Sequence, residues 1–258
     1  MTNHVTVTSA EGVLTLTLAR PDKMNALTSA MYATLAEALA GAESDPAVRV
    51  VVIRGEGAMF TSGNDLAEFA AVAAGATGAG ESQVVRFLRA LAGCSKPLVA
   101  AVNGRAVGVG TTMLLHCDFV LLAEDALLST PFVNLALVPE AASSLLLPAR
   151  VGYARAFEMF ALGKPISAAQ ALDWGIGNRV VPLTDLYGEA EQVAALLAKQ
   201  AAGSLKMTKQ LMKQAAAVTA QMNLESAQFA ERLRSPEARE AFTAFAEKRA
   251  PDFSRFAA

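Results

Sequence analysis

The stretch Lys96-Pro97-Leu98-Val99-Ala100-Ala101-Val102-Asn103-Gly104-Arg105-Ala106-Val107-Gly108-Val109-Gly110 decides how the rest of the chain is read. Pro97–Val102 is a short continuous apolar run, the pattern of a strand buried on both faces. Asn103-Gly104 ends it at once, and glycines recur at 108 and 110. A patterned run, residues 111–117, follows the glycines, so this turn is expected to open a helix. Two further runs have the same character: Arg49-Val50-Val51-Val52-Ile53-Arg54 and Phe119-Val120-Leu121-Leu122-Ala123. Buried strands alternating with helical patterns predict an α/β core.

Outward from this centre, Val5-Thr6-Val7-Thr8 and residues 13–18 alternate apolar and polar side chains, the period of a half-buried strand. Glu11-Gly12 supplies the turn between them. Residues 28–42 carry Met31, Leu35 and Leu39 at helical spacing, with Thr28 or Ser29 available as a cap. Helical patterns dominate later, over 154–162, 168–173, 189–200 and 205–233. The expected division is an α/β core over residues 1–200 and a helical region over 201–258. Residues 67–82 (AEFAAVAAGATGAGES) end in a Gly/Ala/Ser-rich loop, read either as a mobile flap over a ligand or as a tolerated surface insertion.

Composition narrows the function classes. The 258 residues are 53% hydrophobic and 18% charged, with a formal net charge of -2. No basic run is present that could neutralise a phosphate backbone, so no nucleic-acid partner is expected. No run of about 18 uninterrupted apolar residues occurs, so no membrane span is expected. The first twenty residues lack a charged segment followed by an apolar one, and the two cysteines, Cys94 and Cys117, are read as reduced thiols of a cytoplasmic protein. His116 and Cys117 adjoin without a second ligand pair, so no metal site is expected. The low charge and plentiful Ala fit surface hidden in an oligomer, as they fit Ala-rich helices alone.

Three segments carry potential chemistry: Phe60-Thr61-Ser62-Gly63-Asn64-Asp65-Leu66, Asn103–Gly110, and Thr130–Glu140. The first two place small residues directly after a predicted buried strand, where backbone can approach a ligand. Two N–H donors converging there would form an oxyanion hole. A purely structural turn satisfies the same pattern. The glycines at 104, 108 and 110 do not match the spacing of a dinucleotide fingerprint.

The ordered set RPDKMNAL (20–27), SGNDL (62–66), KPLVAAVNGRAVGVG (96–110), CD (117–118), LVPE (137–140) and LGKPISAAQALDWGIGNRVV (162–181) resembles the crotonase, or enoyl-CoA hydratase/isomerase, superfamily. The resemblance covers almost the whole chain. It implies a crotonase-like spiral of ββα units with a C-terminal helical trimerisation region, an acyl-CoA thioester substrate, and a homotrimer or a hexamer built as a dimer of trimers. Coenzyme A would enter as part of the substrate, with no separate cofactor. By the same resemblance, the oxyanion-hole N–H groups belong to Asn64 and Val109. Coenzyme A contacts fall to Lys23, Met24, Ala26, Gly63, Asp65 and Leu66.

The two glutamates that hydratases of this superfamily use align with Thr112 and Phe132, neither of which titrates. Glu140 remains, and TPF followed by VPE is similar to the peroxisomal type of Δ3,Δ2-enoyl-CoA isomerase. The resemblance thus implies an isomerase with Glu140 as single catalytic base, in an apolar surround of Leu137, Val138, Leu145 and Leu146. A hydratase, an isomerase of aromatic acyl-CoA, and a non-catalytic acyl-CoA or protein binder stay open beside it. Taken alone, Glu140 also reads as a solvent-facing acid at a helix start. His116, Trp174 and Met159 are read as packing residues, and Asp65 as orienting its own loop. Asn134 either touches substrate or caps a loop. Lys206, Lys209 and Lys213 form a solvated helix face or contact coenzyme A phosphates. Phe242, Phe245, Phe253 and Phe256 pack a trimer or close the acyl pocket.

Overall fold

The computed structural model describes residues 4–73 and 82–256. Its larger sheet has six strands in the order β1-β2-β3-β4-β6-β9: β1 (Val5–Ala10), β2 (Val13–Leu18), β3 (Val50–Gly55), β4 (Leu98–Val102), β6 (Phe119–Ala123) and β9 (Arg179–Val181). All pairs are parallel except the β1–β2 hairpin. A smaller sheet joins β5 (Arg105–Val107), β7 (Leu127–Ser129) and β8 (Ile166–Ser167).

The continuous apolar runs are buried on both faces because each face meets its own helical layer. Val51, Ile53, Leu98, Ala100 and Val102 face one hydrophobic cluster, shared with Leu35 and Leu39 of α1 (Ser29–Ser44). Val50, Val52, Val99 and Ala101 face the other, closed by Leu186, Ala190 and Val193 on a later helix (Leu186–Ala198). The hairpin departs from the half-buried expectation: β1 is an edge strand exposed at every residue after Val5.

The chain climbs between the sheets. It leaves β4 for β5, returns through β6, and leaves again for β7. Two isolated parallel bridges, Leu27 with Asn64 and Thr61 with Ala106, extend the smaller layer back through earlier turns of the chain. Each turn thus adds a strand to the large sheet, a short extended piece to the small one, and a helix: α1, then α2 (Leu66–Ala73) with α3 (Gln83–Gly93), then α4 (Val109–Thr112), then α5 (Ser143–Val151). The result is a spiral of ββα units. Its short pieces have too few residues to show a period of two and so leave no strand signature in the chain.

The remaining helices are α6 (Tyr153–Leu162), α7 (Ala168–Asp173), α8 (Leu186–Ala198), α9 (Ala202–Met212), α10 (Ala215–Leu233) and α11 (Pro236–Ala246). The 205–233 pattern is therefore two helices, broken at residues 213–214. Local chemistry sets several of the ends. Thr28 caps α1, Ser167 and Gln170 form a capping box on α7, and Ser235 caps α11 with Pro236 in its first turn. The helix expected over 111–117 is shorter: α4 has four residues and passes into a 3-10 turn, Met113–His116. Val218, Met222, Leu233 and Phe242 join the main core cluster, so α10 and α11 pack onto the α/β layers.

Of the lysines expected on a solvated face, Lys206 is exposed, whereas Lys209 docks α9 and Lys213 is partly buried. Lys209 Nζ reaches Asp118 Oδ2 at 2.6 Å and the Lys96 carbonyl at 2.7 Å, while the Lys213 ammonium is held down to about 8, first by burial and then by Lys209. The Phe stripe divides: Phe242 is buried and Phe245 is 61% exposed. No helix among the described residues is long and apolar enough to cross a membrane, and no three metal-binding side chains there come together.

Both cysteines are free and buried, and burial pushes the Cys117 thiol up to about 12 and that of Cys94 above its usual value. The thiolate is the reactive species. A disulfide exchange reagent at mildly alkaline pH will therefore label neither cysteine in the folded protein and both after unfolding; rapid native labelling would refute this.

Candidate active site

The first and second chemistry-bearing segments meet because they are consecutive rungs of the small layer. Thr61 N–H donates to the Arg105 carbonyl at 3.1 Å, and Val107 N–H donates to the Thr61 carbonyl at 3.0 Å. Gly63 has φ +90, and a Cβ there would lie 2.8 Å from the Val107 carbonyl oxygen. Only glycine permits both that backbone and that approach. One residue further, Asn64 is bracketed by Leu27, which donates to the Gly63 carbonyl and accepts from Asp65 N–H. This bridge turns the Asn64 N–H away from Leu27. Gly108 precedes α4 with φ +57 and ψ -117, another conformation that glycine adopts without a side-chain clash. The backbone N–H groups of Asn64 and Val109 have no acceptor among the described residues. Since α4 is only four residues long, these are local donors rather than the end of a long helix dipole.

The RPDKMNAL turn lies against this rung. Met24 accepts from Ser62 N–H at 2.9 Å, and Arg20 bridges the two motifs by donating to the Ala26 carbonyl and to Asp65 Oδ2 at 2.7 Å. Lys23, Met24, Ala26, Gly63, Asp65 and Leu66 are thereby gathered on two abutting loops, with Met24 57% exposed. Asp65 Oδ1 also accepts from Ala67 and Glu68 N–H at the start of α2. Burial alone would raise the Asp65 carboxyl, but the Arg20 bond and the two amides outweigh it and hold the group below its ordinary range. Asp65 orients its loop, as expected. The sequence reading missed Asn25, which is fully buried and bonds the Glu56 and Met59 carbonyls through Nδ2.

Glu140 does not face solvent. It is 7% exposed and lines a cavity of about 290 Å³. The apolar walls come from distant segments rather than from its sequence neighbours: Leu27, Tyr32, Phe69 and Leu88 on one side, Phe229 and Leu233 of α10 on the other. Leu145, expected in the surround, is 39% exposed. Burial pushes the Glu140 carboxyl up to about 7. A bond from Thr112 opposes the rise, and the charge of Glu225 adds to it.

Thr112 Oγ1 lies 3.3 Å from Glu140 Oε1, so position 112 does face the carboxylate, carrying a hydroxyl. Phe132 is buried against Phe160, with ring centroids 6.1 Å apart. Tyr32 lines the same cavity and donates through its hydroxyl to Asn64 Oδ1. Its own ionisation is raised well above normal, by burial first and by the Glu140 charge next, which ties the Asn64 end of the site to the Glu140 end. Neither Tyr32 nor α10 was singled out from sequence. Both are apolar-patterned helix positions that look like core until the cavity is seen.

His116 is a packing residue, 2% exposed and lowered to about 3 by burial, with Nε2 donating to the Ala141 carbonyl at 2.7 Å. Asn134 donates to the Leu162 carbonyl and braces a loop. Of the stretch 67–82, read as a flap or a surface insertion, residues 74–81 lie outside the described residues.

Thr112→Val keeps the volume and deletes the bond to Glu140. That bond favours the ionised carboxylate, so its loss raises the Glu140 pKa further. The pH at which Glu140 titrates should therefore be higher than in the parent, as followed by difference infrared spectroscopy of the carboxyl, and an unmoved titration would show that the bond is not made in solution.

This fold, with two small-residue turns abutting beside a buried carboxylate, matches known proteins along the whole chain. The sequence profile of the enoyl-CoA hydratase/isomerase family matches residues 8–255. The chain is 37% identical over 250 residues to the 1,2-epoxyphenylacetyl-CoA isomerase of Escherichia coli K12, covering 95% of each. It is 35% identical over 212 residues to the enoyl-CoA delta isomerase 2 of Rattus norvegicus, covering 81% of this chain and 54% of that longer one. The structure of an enoyl-CoA hydratase/isomerase from Pseudoalteromonas atlantica T6c superimposes with a TM-score of 0.92 at 42% identity, covering 97% of this chain and 99% of that one. The chain belongs to the enoyl-CoA hydratase/isomerase family and has the crotonase fold. It is an acyl-CoA-processing enzyme of that family.

Proposed function

We propose that this enzyme is a Δ3,Δ2-enoyl-CoA isomerase with a single glutamate proton shuttle. The observation that carries the reading is Glu140: a buried carboxylate raised to about 7 in an apolar cavity, with no titratable group at positions 112 and 132. Glu140 takes a proton from C2 of a 3-enoyl thioester, and the electron pair moves into the thioester carbonyl. The N–H groups of Asn64 and Val109 bind the resulting oxyanion of the dienolate. The same carboxyl then returns the proton to C4, which shifts the double bond from C3–C4 to C2–C3 without gain or loss of atoms. A pKa near neutrality suits both halves, since the group must be a competent base and then a competent acid.

Lys23, Met24, Ala26, Gly63, Asp65 and Leu66 are assigned to coenzyme A, which is supported by their gathering on two abutting loops. A homotrimer, or a dimer of trimers, is supported by large apolar side chains left in solvent, among them Tyr153 at 75% and Phe157 at 58% exposed. The 37% identity to 1,2-epoxyphenylacetyl-CoA isomerase favours a second reading, an aromatic acyl group undergoing related proton transfer at the same carboxylate.

A paired assay tests the proposal, offering 3-enoyl-CoA and 2-enoyl-CoA of one chain length. Conversion of the first without hydration of the second is expected. Rapid hydration of the second would overturn the reading and require a water-activating group elsewhere.

A further inference from the structure

Glu225 of α10 is a second buried carboxylate, 5% exposed, that the reading above does not use. Its Oε1 accepts from Ser144 N–H at 2.9 Å and from the Ser144 hydroxyl. Gln221, one turn earlier on α10, donates to Ser144 Oγ at 2.8 Å. The residues so held are those that follow Glu140.

The backbone there is strained. Ala141 and Ala142 are both left-handed, with φ 63 and φ 54, although neither is glycine. Such a conformation is unfavourable for a residue with a Cβ and persists only where the surroundings over-determine it. Three contacts do so: Ser143 N–H returns to the Glu140 carbonyl at 3.0 Å, His116 holds the Ala141 carbonyl from one side, and Glu225 holds the Ser144 amide and hydroxyl from the other. Without the bend, the chain would enter α5 along a different path and carry the Glu140 side chain away from the cavity.

We infer that Glu225 is a positioning residue for Glu140, its carboxylate clamping the left-handed bend at Ala141-Ala142 that aims the base into the acyl cavity. The inference rests on Glu140 being the base. Burial in a common core also places one negative charge within reach of another: Thr112 from α4, Tyr32 from α1 and Glu225 from α10 interact with Glu140, while Asp65 and Glu68 stand on the wall of the same cavity. His116 is neutral over the working range and adds no charge. The Glu225 Oε2 has no partner among the described residues, so an amide nitrogen can replace it without breaking a bond that is present.

The test compares Glu225→Ala, Glu225→Gln and Glu140→Gln on 3-hexenoyl-CoA, following turnover and deuterium uptake at C2. Glu225→Ala should lower kcat by about 10²-fold with KM nearly unchanged, the effect of a misplaced reacting group. Glu225→Gln should recover most of that loss, since its oxygen still accepts from Ser144, and its pH–rate inflection should fall because the facing charge is gone. Parental kcat in Glu225→Ala would overturn the inference. If that variant does not fold, Glu225→Met, which keeps the volume and removes both acceptor oxygens, is read in its place, and parental kcat there overturns the inference. C2 exchange surviving in Glu140→Gln would instead remove the base itself. Exchange lost in Glu140→Gln but parental in both Glu225 variants would sink the clamp and leave the base standing.

Discussion

Glu140→Gln should abolish most turnover and, at the same time, make the folded protein more stable above neutral pH. General-base catalysis contributes about 10²–10⁴-fold, and kcat should fall by at least that factor while coenzyme A binding persists. The stability gain follows from the same burial. The folded carboxyl titrates at about 7 against an ordinary 4.5, so the folded state holds this proton more tightly than the unfolded chain does. Stability from this group is complete below the unfolded value and is lost as pH rises through the window between the two. At 1.36 kcal/mol per unit, the loss is on the order of 3 kcal/mol by the time both states are ionised. Glutamine cannot ionise and escapes it. Denaturation of parent and variant should therefore diverge at about pH 8 and nearly coincide at about pH 4. Parallel curves at both would show that Glu140 is not a buried, raised carboxyl.

Gly63→Ala should lower turnover by about 10²–10³-fold, the effect of losing an oxyanion-hole donor. The new Cβ would meet the Val107 carbonyl at 2.8 Å on a backbone with φ +90. Relief requires residues 61–64 to move off the β5 rung, and the Asn64 N–H moves with them. The strain should also remove about 1–3 kcal/mol of stability. Kinetics and thermal unfolding on the purified variant check both halves. A variant with parental kcat would mean that the rung can shift without disturbing the donors, and the assignment of Asn64 to the hole would fall.

Both effects depend on contacts between segments far apart in sequence, and this separates what could be read early from what could not. The strands β2 and β6 were legible to the residue, and β3 and β4 nearly so, because a run of β-branched and small apolar residues has few other uses in an α/β chain. The helix α1 was legible from Thr28 and the spacing of Met31, Leu35 and Leu39. The small layer was not, since bridges such as Leu27 with Asn64 involve single residues and carry no period. The split of α9 from α10 was also hidden, as no proline or glycine marks residues 213–214.

The site divides in the same way. Motif order pointed to Asn64, Val109 and Glu140, and local chemistry identified Asp65 as a loop organiser. Sequence neighbours were a poor guide to the Glu140 environment. Leu145 turns outward on the exposed side of a helix, whereas Phe229 and Leu233 arrive from some 90 positions away to wall the cavity. Sequence alone thus determined the strands of the large sheet, the class of fold and which few residues had the chemistry to act. Tertiary structure alone decided that Glu140 is buried, that this burial first and then Thr112 and Glu225 shift its titration, and that Tyr32 links it to Asn64. The physical reason is that desolvation and short-range bonds depend on distance in space, and a spiral fold brings together residues that the chain order keeps apart.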